Sequence, residues 1–134
     1  MGYFHLLPKQ ISQVRQERIV IEDYRPIGWN QFYRGLKWHH RKKIVDEVRA
    51  IVLSSIFKDG NEFEMFTCPV DIEITCYYVS HPHDSSNICA KIYEDALKGI
   101  FIEDDSPKYV RSMKTSSLID RQHPRLEIII KEST

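Results

Sequence analysis

The sequence predicts an α/β domain of the α+β kind, with elements in the order β-α-β-α-β-β and a mixed sheet packed by two helices. Three observations predict it. Short β-branched runs alternate apolar and polar residues. Two stretches carry apolar residues at spacings of three and four. Clusters of Pro, Gly, Asn and Ser separate these runs. At 134 residues the chain suits one domain over 1–134, and no repeat, low-complexity tract or linker divides it. Residues 1–12 are expected to be loosely held.

Each element has its own signal. "RIVIEDY" (18–24) alternates and reads as a strand, and "RPIGWNQFYRG" follows as a turn-rich loop. "LKWHHRKKIVDEVRAIVLSSIF" (36–57) places Trp38, Ile44, Val45, Val48, Ile51, Val52 and Ile56 on a helical stripe. "VDIEITCYYVS" (70–80) puts Val70, Ile72, Ile74 and Cys76 on one strand face and Asp71, Glu73 and Thr75 on the other. The second helix is expected over 87–98, with Ser85 or Ser86 as N-cap and Gly99 closing it. "IFI" reads as a short extended stretch before Glu103, Asp104 and Asp105. "KYVRSMKTSSLI" and "RLEIIIKE" are two further strands joined across "DRQHP".

Composition excludes several classes. No stretch is long and apolar enough to span a bilayer, and "MGYFHLLPKQISQVRQ" lacks the charged and apolar regions of a signal peptide. A cytoplasmic protein without membrane contact is expected. Cys68, Cys76 and Cys89 are odd in number with no CxxC spacing, so small buried side chains are expected rather than zinc ligands or disulfides. Nineteen basic residues balance nineteen acidic ones, which argues against a general polyanion binder. The balance hides segregation. "RGLKWHHRKK" (34–43) holds Arg34, Lys37, Arg41, Lys42 and Lys43 with no acid, whereas 94–105 carries five acids against Lys98. A basic patch beside an acidic pocket suits a polyanion held by cations while carboxylates hold a metal. It equally suits two solvated faces of opposite sign.

The acidic segment carries the candidate chemistry. On a helix from Asn87, residues 87, 91 and 95 share one face, so Asn87, Lys91 and Asp95 form a polar stripe while Ile88, Ile92 and Leu97 face the sheet. Asp84 precedes the first turn. Asp104 and Asp105 follow the helix on a segment that must double back past it. Hard divalent cations take such oxygen donors. A lysine among them can steady developing negative charge. The plainer alternative makes Lys91–Asp95 an ordinary i,i+4 ion pair. His81 and His83 flank Pro82 just before Asp84, where solvated loop histidines are the commoner outcome. Trp29, Tyr33 and Trp38 are expected mainly as core or interface contacts, with base stacking as the alternative.

These residues resemble a known family. "DSSN…K…DAL.G….EDD…V" is similar to the core of the RusA family of Holliday junction resolvases, particularly small prophage-encoded members. The family pattern runs D-x-D-N-x-x-K-x-x-x-D-x-L-x-G and then a paired Asp-Asp. "WNQFYRGLKWHHRKKIVDEV" and "HPRLEIIIKE" extend the resemblance over most of 27–132. The resemblance implies a homodimeric endodeoxyribonuclease that nicks four-way DNA junctions in pairs with magnesium or manganese, in recombination and repair, in a bacterial or phage-infected cell. It implies Asp84, Lys91 and Asp105 as catalytic, Asp84, Asn87, Asp104 and Asp105 as metal-binding, and Asp95 as supporting. Arg34, Lys37, Arg41, Lys42 and Lys43 are the expected DNA contacts. The sequence departs from the pattern twice. Ser86 stands where the second acid is usual, removing one potential metal charge, and Asn87 to Lys91 is one residue longer. Anchored on the lysine, the pattern would instead put Asn87 on the second acid and Ser85 on the first. The alternatives are a protein that binds junctions without cutting, a nuclease for other branched DNA, and an unrelated interaction domain.

Overall fold

The computed structural model describes residues 14–26, 28, 37–58 and 63–133, apart from the side chain of Ser86. Four strands and two helices follow the expected order: β1 (Gln16–Glu22), α1 (Trp38–Phe57), β2 (Val70–Tyr78), α2 (Ala90–Leu97), β3 (Val110–Ile119) and β4 (Arg125–Glu132). The sheet order is β1-β4-β2-β3. β4 runs antiparallel to both β1 and β2, and β2 and β3 are parallel, so the sheet is mixed as expected.

Alternation builds the core. Ile72 lies opposite Ile130, and Ile74 opposite Ile128. On the far side of β4, Ile19 faces Ile128 and Ile21 faces Leu126. All of these are buried on one sheet face. Val48, Val52 and Ile56 from α1 and Ile92, Tyr93, Ala96 and Leu97 from α2 are buried with them. Burying each large aliphatic side chain contributes about 1.5–3 kcal/mol. The first half of the expected α1 stripe is shallower. Trp38 is exposed, and Ile44 and Val45 are half-buried against the core.

Several boundaries differ from the sequence expectation. β1 ends at Glu22, because Asp23 turns the chain with φ +49° and its amide donates to Pro124 O. The second helix begins at Ala90, not 87. Ser85–Asn87 form a separate 3-10 turn, and Ile88 bridges Gly28 in antiparallel fashion. Ser85 and Ser86 therefore precede that helix and do not cap it; Cys89 is its N-cap, without a side-chain capping bond. Gly99 does adopt the left-handed conformation, φ +83°, just past the helix, as the closing glycine should. "IFI" is a turn, not a strand: the amides of Ile100, Phe101 and Ile102 donate to Leu97 O. Cys76 and Cys89 are buried and Cys68 half-buried, all three as free thiols. Residues 1–12, Arg34, Trp29 and Tyr33 lie outside the described residues. Among the described residues, no helix is long and apolar enough to cross a membrane.

Candidate functional site

α2 is short, and its buried face fixes the rest. Ile92, Tyr93, Ala96 and Leu97 point inward, so Lys91, Glu94, Asp95 and Lys98 share the outer side at i, i+3, i+4 and i+7. The turn after α2 is anchored by buried Phe101, whose carbonyl accepts from Phe66 N at 2.8 Å. This anchor sends the following residues back past the helix. Asp105 thereby returns to α2, and Lys91 Nζ donates to Asp105 Oδ2.

The result is a knot of charge. Lys91 Nζ lies 3.1 Å from Asp95 Oδ1 and 3.7 Å from Glu94 Oε1. Lys98 Nζ lies 3.2 Å from both Asp95 Oδ1 and Asp105 Oδ2, and 4.0 Å from Asp104 Oδ1. Asp95 Oδ1 is buried and close to both ammonium groups, yet neither is aligned as a hydrogen-bond donor to it. Glu94, Asp95 and Asp105 each bring one carboxylate oxygen within 4.8 Å of the others, a group that can hold a metal ion. Burial raises the Glu94 pKa above the ordinary glutamate value, against the pull of Lys91 and Lys98.

Lys91, Asp95 and Asp105 are thus brought together. Glu94 and Lys98 join them although sequence reasoning gave neither a role; their i+3 and i+7 spacing from Lys91 was the available signal. Asp104 is exposed and, among the described residues, is reached only by Lys98. Asn87 sits in the 3-10 turn, off the helix, so the expected 87-91-95 stripe does not form. Its side chain lies against Gly28, where an added Cβ would come within 2.7 Å of Asn87 Nδ2. A larger residue at 28 would require the Asn87 side chain to shift.

Asp84 opens the 3-10 turn and is exposed, outside the carboxylate trio. It lines a cleft with His83, Ser85, Thr115 and Ser117, where Thr115 Oγ1 donates to Ser85 O at 2.8 Å. Beneath the cleft, His83 meets the Tyr78 ring edge-on at 5.7 Å. Burial pushes the Tyr78 hydroxyl up to about 12. Lys37 is exposed just before α1, whose first turns carry exposed Lys42 and Lys43 and half-buried Arg41. Lys42 pairs with Asp46 at 3.3 Å.

What the site defines is a class: an α+β domain with carboxylates and lysines gathered on an outer helix face. No protein-family model matches the chain, and no curated protein matches it.

Proposed function

We propose that the chain is a metal-dependent endodeoxyribonuclease of the RusA type, which resolves four-way DNA junctions by paired nicks as a homodimer. One observation carries the reading. Asp105, fourteen residues beyond Lys91, returns to meet it beside Asp95, so three residues chosen for chemistry meet on one helix face. The donors suit a hard divalent cation, being carboxylate oxygens with no thiolate or imidazole among them. Glu94, Asp95 and Asp105 would hold magnesium or manganese, whereas Asp84, Asn87 and Asp104, the donors that the resemblance implies beside Asp105, lie outside that trio. Bound there, the ion supplies Lewis acidity and an activated water for phosphodiester hydrolysis. Lys91 would steady the charge that develops on the scissile phosphate. Lys37, Arg41, Lys42 and Lys43 meet flanking phosphates.

A second reading is favoured by a specific observation. Two ammonium groups already lie among the three carboxylates and offset their charge. With Ser86 in place of an acid, this suits a protein that binds junctions without cutting them. Cleavage of a synthetic four-way junction with magnesium decides between the two, and an equal-length linear duplex tests structure specificity. Asp84→Asn and Asp105→Asn should each abolish cutting while junction affinity stays within a few-fold. Wild-type rates from both variants would remove the site assignment.

A further inference from the structure

The sheet order leaves β1 and β3 at its two edges, so each presents a row of backbone groups that no described strand takes up. The row on β1 can be read from its bonds to β4. Arg15 O accepts from Glu132 N, Asp23 N donates to Pro124 O, and both pairs continue the β1–β4 register. Odd-numbered residues of β1 therefore bond to β4. Arg18, Val20 and Glu22 turn their N–H and C=O groups to the free edge. Their side chains share the outer sheet face, away from buried Ile19 and Ile21.

Edge strands are commonly blocked by proline, by a bulge or by charge. β1 has neither proline nor a break in register, and its charges have opposite signs on either side of Val20. α1 stands beside this edge, with clefts of about 490 and 280 Å³ between helix and strand. The helix lines them with exposed Ile51 and the small side chains of Ala50 and Ser54. Arg18 gives Nε and Nη2 to Glu127, yet more than half of its side chain is exposed. Glu22 is half-exposed beside His123. A guanidinium has five N–H donors, so Arg18 can hold Glu127 and a second carboxylate together.

We propose that a second copy of the chain docks on this edge, β1 against β1 in antiparallel fashion, with a two-fold axis at Val20. Residues that turn outward must face each other, so the register can slip only in steps of two. Centred on Val20, Arg18 faces Glu22 of the other copy and Glu22 faces its Arg18. Val20 then meets Val20, and Ile19 meets Ile21. Slipped one way, Arg18 meets Val20 and Glu17 meets Ile21. Slipped the other way, Glu22 meets Val20 and Ile19 meets Asp23. Only the central register matches both charge and apolar side chains. Its one like-charge pair, Glu17 with Asp23, falls at the end of the ladder, where Asp23 turns away with φ +49°. β3 offers no such match. It carries Arg111 and Lys114 without an acid, so no register of β3 against itself sets opposite charges together. The β1 contact is the same patch on both copies and closes on itself, giving one sheet through the pair. That two copies pair at all rests on the proposed function; the choice of edge rests on β1.

Sedimentation equilibrium of the intact protein tests the interface. Val20→Pro removes an N–H that faces the free edge and leaves the bonds to β4 in place. Wild type should have the mass of two chains, and Val20→Pro that of one with an unchanged circular dichroism spectrum. Should that variant fold poorly, Val20→Cys serves instead. The two-fold sets residue 20 against its own copy at a Cα separation of roughly 5.5 Å, inside the roughly 4.4–6.8 Å that a disulfide spans. Mild oxidation should therefore link Val20→Cys into a covalent dimer, but neither wild type nor Leu118→Cys on β3. A monomeric wild type would overturn the proposal. So would a Val20→Pro variant that stays dimeric, or linkage through Leu118→Cys in preference to Val20→Cys. Junction cutting is measured separately. A β1 dimer that does not cut keeps the interface and removes the nuclease reading. Cutting by a wild type that fails these tests does the reverse.

Discussion

Lys91 reaches carboxylates from two separate stretches of chain, and its worth depends on what the cluster is for. As an exposed ion-pair partner on a helix it contributes about 0.3–0.5 kcal/mol. As a charge that acts on the transition state, its loss should slow cleavage by about a hundredfold or more. Lys91→Met is therefore expected to fold, bind junctions and cut very slowly in single-turnover assays. Near-normal cutting would return Lys91 to a structural role. Glu94 gives a second residue-scale expectation. Burial raises its folded pKa above the unfolded value near 4.5, so the folded protein releases this proton later than the unfolded chain. Stability of the metal-free protein should then fall as pH rises through the window above 4.5. Glu94→Gln should flatten that slope in thermal melts and raise the melting temperature near neutrality. An unchanged slope would show that the lysines already satisfy the carboxylate. Lys91 was legible from its i,i+4 spacing to Asp95, although Asn87 proves not to share that face. Glu94 lies at i+3, beside the i+4 stripe, and its burial, a tertiary property, is what makes its titration unusual.

At the scale of elements, β4 joins the two sides of the sheet. Its inward face is Leu126, Ile128 and Ile130. Its outward face carries Glu127, which is nonetheless buried. Arg125 Nε donates to Glu127 Oε2 at 2.6 Å and Arg18 Nε to Oε1 at 3.1 Å, so one carboxylate joins β1 to β4. Arg125 also lies 3.7 Å from the centre of the Tyr77 ring on β2. Burial pushes the Glu127 pKa up, but the two arginines more than offset this and leave it below the ordinary glutamate value. A lowered folded pKa means stability that is present above 4.5 and lost as pH falls through the folded value. Glu127→Gln should cost about 1.5–3 kcal/mol near neutrality, the range for hydrogen bonds to charged groups. Denaturant curves for variant and wild type should converge in acid. A constant difference across pH would mean that packing, not charge, sets the cost. The strands were legible because alternation at Val70–Tyr78 and Arg125–Glu132 is a local property. The start of α2 was not. "DSSN" has the composition of a helix cap, but Ile88 is drawn into a bridge with Gly28, sixty residues earlier, and the helix waits until Ala90. No local pattern carries such a long-range contact.

At the scale of the whole molecule, zero net charge conceals a division between two helices. α1 opens with Arg41, Lys42 and Lys43 in its first turns and has no acid in its first turn. Cations near a helix N-terminus are opposed by the backbone dipole, an effect that falls off within the first turn and so bears mainly on Arg41. α2 carries the opposite sign, so of the two helices α1 is the one whose charge suits a polyanion. The fold class and the division of charge were readable because both depend on residue type and period. Which basic residues remain available was not, since that depends on side-chain pairing such as Lys42 with Asp46. Replacing Arg41, Lys42 and Lys43 with alanine should weaken junction binding and lower the slope of log affinity against log salt by about one unit per lost phosphate contact. Lys42 must leave Asp46 to meet a phosphate, so Lys42→Ala alone should change the slope less than Lys43→Ala alone. As exposed or half-buried surface positions, the three should change the stability of the free protein by no more than about 0.5 kcal/mol each. Binding isotherms at several salt concentrations, paired with thermal melts of the free protein, measure both effects. An unchanged salt slope in the triple variant would place the DNA away from α1 and leave its basic run as a solvated face.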